Sequence, residues 1–206
     1  MKYNDIDPRK QAFVFELDNV LYPEKDYLFQ VYYLFANMLE YTELWDAKAM
    51  TALMTNTYAE KGHAGVFDTL KEKFNVDERY RTNLEDMLVT SRLPLKLLLY
   101  QNMLTLLQDI VVDRKKIFIL TNGNPQQQLN KIKQTEWNGL ESYLTCYFAD
   151  EIRAKPEPDA LNQLIAEHKL NRRDVVMVGN SSTDEFTAEA AGVDYYKSAD
   201  FVLNFK

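Results

Sequence analysis

A three-layer α/β/α fold on a parallel sheet is what this sequence predicts, and three observations predict it. Short apolar runs recur at Phe13-Val14-Phe15, Ile117-Phe118-Ile119-Leu120 and Val175-Val176-Met177-Val178. Each lacks the apolar–polar alternation of a strand with one wet face, which is how strands buried on both faces read. Helical stretches with recognisable caps separate the later runs, the alternation that a parallel sheet requires. At 206 residues the chain can bury one substantial core and a smaller accessory module.

Residues 10–21 read as the first strand and its loop. From Tyr22 to about Arg92 the pattern changes: Leu28, Tyr32, Leu34, Phe35, Met38 and Leu39, then Leu53, Met54 and Tyr58, then Phe67, Leu70 and Phe74 recur at helical spacing. This gives an all-helical block over 22–92, inserted between two parts of a core domain, 1–21 and 93–206. Leu97 to Asp109 reads as a helix returning to that core. Lys116 to Leu120 is the second strand. Asn124-Pro125 is a helix cap followed by proline at the first helical position, with the helix continuing through Gln126 to Lys133. Tyr147-Phe148-Ala149 reads as a short strand, Ala160 to His168 as a helix, Val175 to Val178 as the next strand and Asp184 to Ala191 as the helix behind it. Gly192 ends that helix and leads into Tyr195-Tyr196.

Composition bounds the partners. A net charge of −7 argues against nucleic acid, whose phosphates demand clustered Lys and Arg. One cysteine, Cys146, excludes an internal disulfide and fits a reducing compartment. The amino-terminal residues are polar, with no apolar signal core. The richest apolar stretch, Leu93 to Val112, is broken by Lys96, Gln101, Asn102, Gln108 and Asp109, so no membrane span is expected. A cytoplasmic location follows as an expectation. His63 and His168 stand apart, without Cys or His company, and read as satisfied or surface residues rather than metal ligands.

The chemistry-bearing residues sit where the strands end. Glu16 and Asp18 follow the first run at a spacing that, on a strand, puts both on one face. Open α/β sheets place ligands at the carboxyl edge. Two carboxylates there can hold a hard cation, and one can attack while the other handles a proton. Thr121-Asn122-Gly123 ends the second run, Lys155-Pro156-Glu157-Pro158 precedes a helix, and Gly179-Asn180-Ser181-Ser182-Thr183-Asp184 follows the last run.

In combination and order, these four motifs resemble the haloacid dehalogenase superfamily of hydrolases, over residues 13 to 192. The resemblance implies a Rossmann-like core with an all-helical cap, of the phosphatase-like subgroup, and a cap that closes over the site. It implies roles as well: Glu16 as nucleophile, Asp18 as general acid and base, Thr121 and Asn122 gripping phosphate, and Lys155 neutralising charge. The implied magnesium ligands are Glu16, Asp18, Asn180 and Asp184. The chain departs from the family pattern twice. Glu16 stands where the family has an aspartate nucleophile, and Asn180 where it usually has an acid. A longer arm shifts the attacking oxygen by about one bond length, and a displacement near 1 Å can cost on the order of a hundredfold in rate. Replacing an acid by an amide weakens a magnesium site, or leaves it without metal.

The expectation is therefore a hydrolase of a small phosphomonoester with weak or altered activity. Leu21-Tyr22-Pro23 resembles a branch that includes pyrimidine nucleotidases, which makes a nucleotide one candidate. Tyr27, Tyr32 and Tyr33 read as cap packing, with base stacking as the alternative. Two further readings stay open. One is a non-catalytic member that binds a phosphorylated ligand or a protein partner. The other is a hydrolase in which Glu16 supports direct attack by water. The aromatic-rich cap also leaves a homodimer contact open.

Overall fold

A computed structural model describes residues 1–201, which divide into two compact units, residues 1–23 with 97–201, and Glu24–Lys96.

In the first unit, β1 (Ala12–Phe15) is completely buried, as its uninterrupted apolar sequence requires. The loop expected within 10–21 follows directly: Glu16 still donates its N–H to the Val178 carbonyl at 3.0 Å, and the chain then turns. Asn19, at φ 59°, sits in that turn and donates its N–H to the Tyr22 carbonyl. Asparagine is among the few residues that accept the left-handed region.

A short strand replaces the start of the returning helix expected at Leu97. This strand is β2 (Leu97–Leu98), and the helix begins only at Gln101. Tyr100 donates its N–H to the Leu21 carbonyl, which ties this crossing to the β1 loop before the helix starts.

The second unit comes between these elements in the sequence. Its helices are α1 (Glu24–Glu43), α2 (Ala47–Lys61), α3 (Val66–Phe74) and α4 (Tyr80–Thr90). α1 packs on α2 and α4, and α2 packs on α3. Leu28, Val31, Tyr32, Phe35 and Leu39 form the buried stripe of α1; it meets an interior that also contains Met50, Met54, Phe67, Leu70, Leu84 and Leu88. Leu34, Met38, Leu53, Tyr58 and Phe74 of the expected stripes are only half-buried. Tyr27 and Tyr32 are fully buried and serve as core; Tyr27 donates its hydroxyl to the Leu88 carbonyl, and Tyr32 pairs with His63 Nδ1 at 2.7 Å. Only Tyr33 of that trio is exposed.

The first unit resumes with α5 (Gln101–Val112), β3 (Lys116–Thr121), α6 (Pro125–Gln134) and β4 (Thr135–Glu136). It continues with β5 (Leu144–Phe148), α7 (Asp159–Glu167), β6 (Val175–Gly179), α8 (Ser182–Ala191) and β7 (Asp194–Lys197). The five main strands order as β5-β3-β1-β6-β7, all parallel, while β2 and β4 form a separate parallel pair. Val14 registers with Phe118 on one side and Met177 on the other, and α7 and α8 cover that face through Leu161, Leu164, Ala188 and Ala191. α5 packs against β3 outside this cluster. The sheet is thus flanked by helices in a Rossmann-like arrangement.

β1 lies at the centre because the chain runs outward through β3 and β5 on one side before crossing to β6 and β7 on the other. Such a reversal of strand order opens a crevice beyond the carboxyl ends of the central strands. Among the described residues, no helix is long and apolar enough to cross a membrane.

Candidate functional site

The reversal beside β1 gathers residues from four separate segments into one cleft of about 250 Å³, lined by Glu16, Asp18, Asn122, Lys155, Asn180, Ser181, Thr183 and Asp184. Glu16 lies one residue beyond β1 and is almost completely buried. Its Oε1 accepts from the Leu17 N–H at 2.8 Å and from the Thr121 hydroxyl at 2.5 Å; its Oε2 accepts from Lys155 Nζ. Lys155 also donates to Asp184 Oδ1, so one buried ammonium bridges two carboxylates.

Asp184 faces the cleft from the first turn of α8. Its Oδ2 accepts from the Asn180 N–H, the Ser181 N–H and the Ser181 hydroxyl, while Ser181 Oγ accepts from the Asp184 N–H at 3.2 Å. This reciprocal capping box satisfies amide groups that the start of a helix leaves open. Gly179 makes room for it: a Cβ there would stand 2.4 Å from Asp184 Cβ and 2.6 Å from its Oδ2.

The electrostatics follow from burial and contact. Burial pushes the Glu16 carboxyl above the ordinary glutamate value, outweighing the Lys155 ammonium and the Thr121 hydroxyl that favour its charged form. Burial alone would lower Lys155 and raise Asp184. Their mutual attraction reverses both effects, together with Glu16 on the lysine and the Ser181 and Asn180 donors on the aspartate. Lys155 is held above its usual value and Asp184 below.

Asp18 sits at the cleft's edge with both oxygens engaged. Oδ1 accepts from the Tyr22 hydroxyl at 2.8 Å, and Oδ2 from Lys131 Nζ at 2.6 Å and Gln128 Nε2 at 2.9 Å. Lys131 and Gln128 come from α6, which Asn124 caps through its side-chain oxygen as the Asn-Pro pair predicts. Gln128 also donates to the Thr121 hydroxyl and the Asn122 carbonyl, while its own Oε1 is buried without a hydrogen-bond partner.

Lys131, Gln128 and Tyr22 are site residues that sequence reasoning missed. Gln128 and Lys131 are three positions apart and so share a helix face, but Gln and Lys on a helix ordinarily signal a solvated face. Both are in fact nearly fully buried.

Asn122 and Asn180 each hold neighbouring loops through their side chains. The Asn122 amide clamps the backbone of Lys155, accepting from its N–H and donating to its carbonyl, each at 2.9 Å. It positions the loop holding Lys155. The adjacent Gly123 N–H donates to Asp150 Oδ2 at 2.6 Å, another pairing the sequence did not suggest. Asn180 is exposed and its Nδ2 donates to the Asn19 carbonyl at 3.2 Å, linking the loop after β6 to the turn after β1. His63 and His168 each pair with a tyrosine hydroxyl.

A magnesium ion would need Glu16, Asp18, Asn180 and Asp184 to converge with free oxygens, at about 2.0–2.1 Å and in octahedral geometry. The residues present do not fit that demand. Every carboxylate oxygen of Glu16, Asp18 and Asp184 already accepts from a protein donor, and two of those donors are ammonium groups. No group of three or more His, Cys, Asp or Glu side chains suited to a metal occurs among the described residues.

A family model described as haloacid dehalogenase-like hydrolase matches residues 13–197. The chain belongs to this family. Solved structures similar to it include a hydrolase from Streptococcus pneumoniae TIGR4, 16% identical over 91% of this chain and 92% of that one, with a TM-score of 0.57. A haloacid dehalogenase-like hydrolase from Xanthomonas campestris is 20% identical over 93% and 83%, with a TM-score of 0.57. A family hydrolase from Deinococcus radiodurans R1, determined with bound phosphate and sodium, is 16% identical over 93% and 81%, with a TM-score of 0.58. At these identities the likeness speaks for the fold. No curated protein sequence matches the chain significantly.

Proposed function

We propose that the chain acts on a small phosphomonoester at this cleft, with turnover well below that of a member carrying aspartate at position 16. In this reading Glu16 attacks phosphorus. The bond to the leaving alcohol breaks as the acyl phosphate forms, and Asp18 protonates the leaving oxygen. Water then cleaves the acyl phosphate, losing a proton to Asp18 and restoring the Glu16 carboxylate and inorganic phosphate. Lys155 offsets the charge that builds on the transferred group. The Deinococcus radiodurans family member was determined with bound phosphate, which supports a phosphoryl ligand for this chain.

The observation that carries the weak-turnover reading is the state of the two carboxylates. Glu16 is fixed on both oxygens by Lys155, Thr121 and its own loop, and Asp18 by Lys131, Gln128 and Tyr22. Asp18 must leave three donors before it can reach a ligand's proton. Tyr22, the centre of the Leu21-Tyr22-Pro23 signature, is buried and spent on Asp18. It therefore supplies no argument for a nucleotide over another phosphomonoester. The engagement of Asp18 also favours a second reading, a family member that binds a phosphorylated ligand without turning it over.

An aryl phosphate and a panel of metabolite phosphates, assayed with the native chain, Glu16→Ala, Glu16→Asp and Glu16→Asp/Asn180→Asp, separates the readings. Slow native turnover that Glu16→Ala abolishes supports the hydrolase. Turnover only in the double variant supports the binding protein. A fast native enzyme overturns the weak-turnover reading.

A further inference from the structure

The carboxylates of this cleft already have their cations. Lys155 Nζ lies between Glu16 Oε2 and Asp184 Oδ1, and Lys131 Nζ lies on Asp18 Oδ2. The side chains of both lysines are at most 2% exposed. Long, flexible lysines are seldom buried unless paired, and these two enter from different elements, the loop before α7 and the last turn of α6. The remaining oxygens are satisfied by neutral donors, Thr121 and Leu17 on Glu16, Tyr22 on Asp18, and Ser181 and Asn180 on Asp184, while Gln128 joins Lys131 on Asp18 Oδ2.

We propose that Lys155 and Lys131 together stand in place of a divalent cation, so that the native chain excludes magnesium and manganese from this cleft and removal of the ammonium groups creates a metal site there. Three carboxylates facing two ammoniums leave one formal negative charge. A divalent ion seeking these carboxylates would face the ammonium groups already on them and would have to displace protein donors to gain any ligand. Asn180 adds no charge to draw it in, and its amide is turned to the Asn19 carbonyl. Without the lysines the same carboxylates would be uncompensated in a largely buried cleft, a state that a hard cation relieves.

This inference goes beyond the phosphomonoester reading, and its test needs no phosphate. Manganese binding is followed by the loss of the free-ion signal in electron paramagnetic resonance, and folding by thermal unfolding with and without manganese. The native chain, Lys155→Met, Lys131→Met and the double variant are compared. The native chain is expected to leave the free-ion signal unchanged at millimolar manganese. The double variant should bind on the order of tenfold more tightly or better, and manganese should raise its unfolding midpoint. A variant that folds only when manganese is present also supports the proposal. Native binding as tight as that of the double variant overturns it. So does a folded double variant that gains no affinity, or one that manganese fails to fold. A parallel titration of the metal-free native chain with inorganic phosphate, followed by NMR, reports on the phosphoryl pocket independently.

Discussion

Lys131 Nζ lies 2.6 Å from Asp18 Oδ2 across 113 residues of sequence, and the lysine is 2% exposed while the aspartate side chain is 16% exposed. A helix residue with no place among the recognisable motifs thus controls the acid expected to move protons. Its effect on folding can be separated from its effect on chemistry.

Lys131→Met should cost about 2–3 kcal/mol of stability, below the full penalty for breaking a buried pair because Asp18 keeps some contact with water. Urea unfolding of the native chain, Lys131→Met, Asp18→Asn and the double variant closes the cycle. The double variant should be less destabilised than the two single changes summed. Additive losses would show that the pair is not coupled.

Gly179→Ala should destabilise by about 2–4 kcal/mol, because its Cβ would overlap Asp184 at 2.4 Å where α8 is capped. The clash is with Asp184 Cβ itself, so Asp184→Ala should not rescue the variant. Thermal unfolding measures this, and a Gly179→Ala chain of native stability would contradict the cap geometry.

Asp184 should contribute to stability in a pH-dependent way. Burial alone would raise its pKa, but Lys155 with the Ser181 and Asn180 donors holds it below the ordinary 3.8. A depressed carboxyl stabilises the fold above its unfolded value and loses that contribution as pH falls through its folded value. The stability difference between native and Asp184→Asn chains should therefore be largest near neutral pH and shrink in acid below 3.8. Denaturant midpoints across that range provide the measurement, and a pH-independent difference would refute the assignment.

Cys146 should be a slow nucleophile. Burial pushes its thiol up from 9.0 to about 11, and each unit lowers the thiolate fraction tenfold near neutral pH. Alkylation at neutral pH should run about a hundredfold slower than in denaturant. It should accelerate as pH rises toward 11. Equal rates in folded and unfolded chains would show an open, unperturbed thiol.

Much of the fold was legible because its signals are local. Buried parallel strands must be apolar on both faces, so Phe13-Val14-Phe15 and Val175-Val176-Met177-Val178 identify themselves. Asn124-Pro125 and Gly192 mark helix ends through chemistry confined to one turn. Leu97–Leu98 was hidden because its apolar residues continue into α5 and its strand character depends on pairing with Thr135–Glu136. Likewise β7 was seen only as two tyrosines, since its status comes from register with β6.

By itself, the sequence determined that Glu16, Asp18, Thr121, Lys155 and Asp184 would meet. Each follows or adjoins a strand of one parallel sheet, and parallel strands carry their carboxyl ends to a common edge. Only the tertiary structure decided how those groups are employed. Whether Asp18 faces a ligand or an ammonium depends on which face of α6 turns inward, and Asn122 became a clamp because the Lys155 loop passes beside it. Such partnerships join residues far apart in the chain, and no local pattern of Gln, Lys or Asn encodes the distance across which they close.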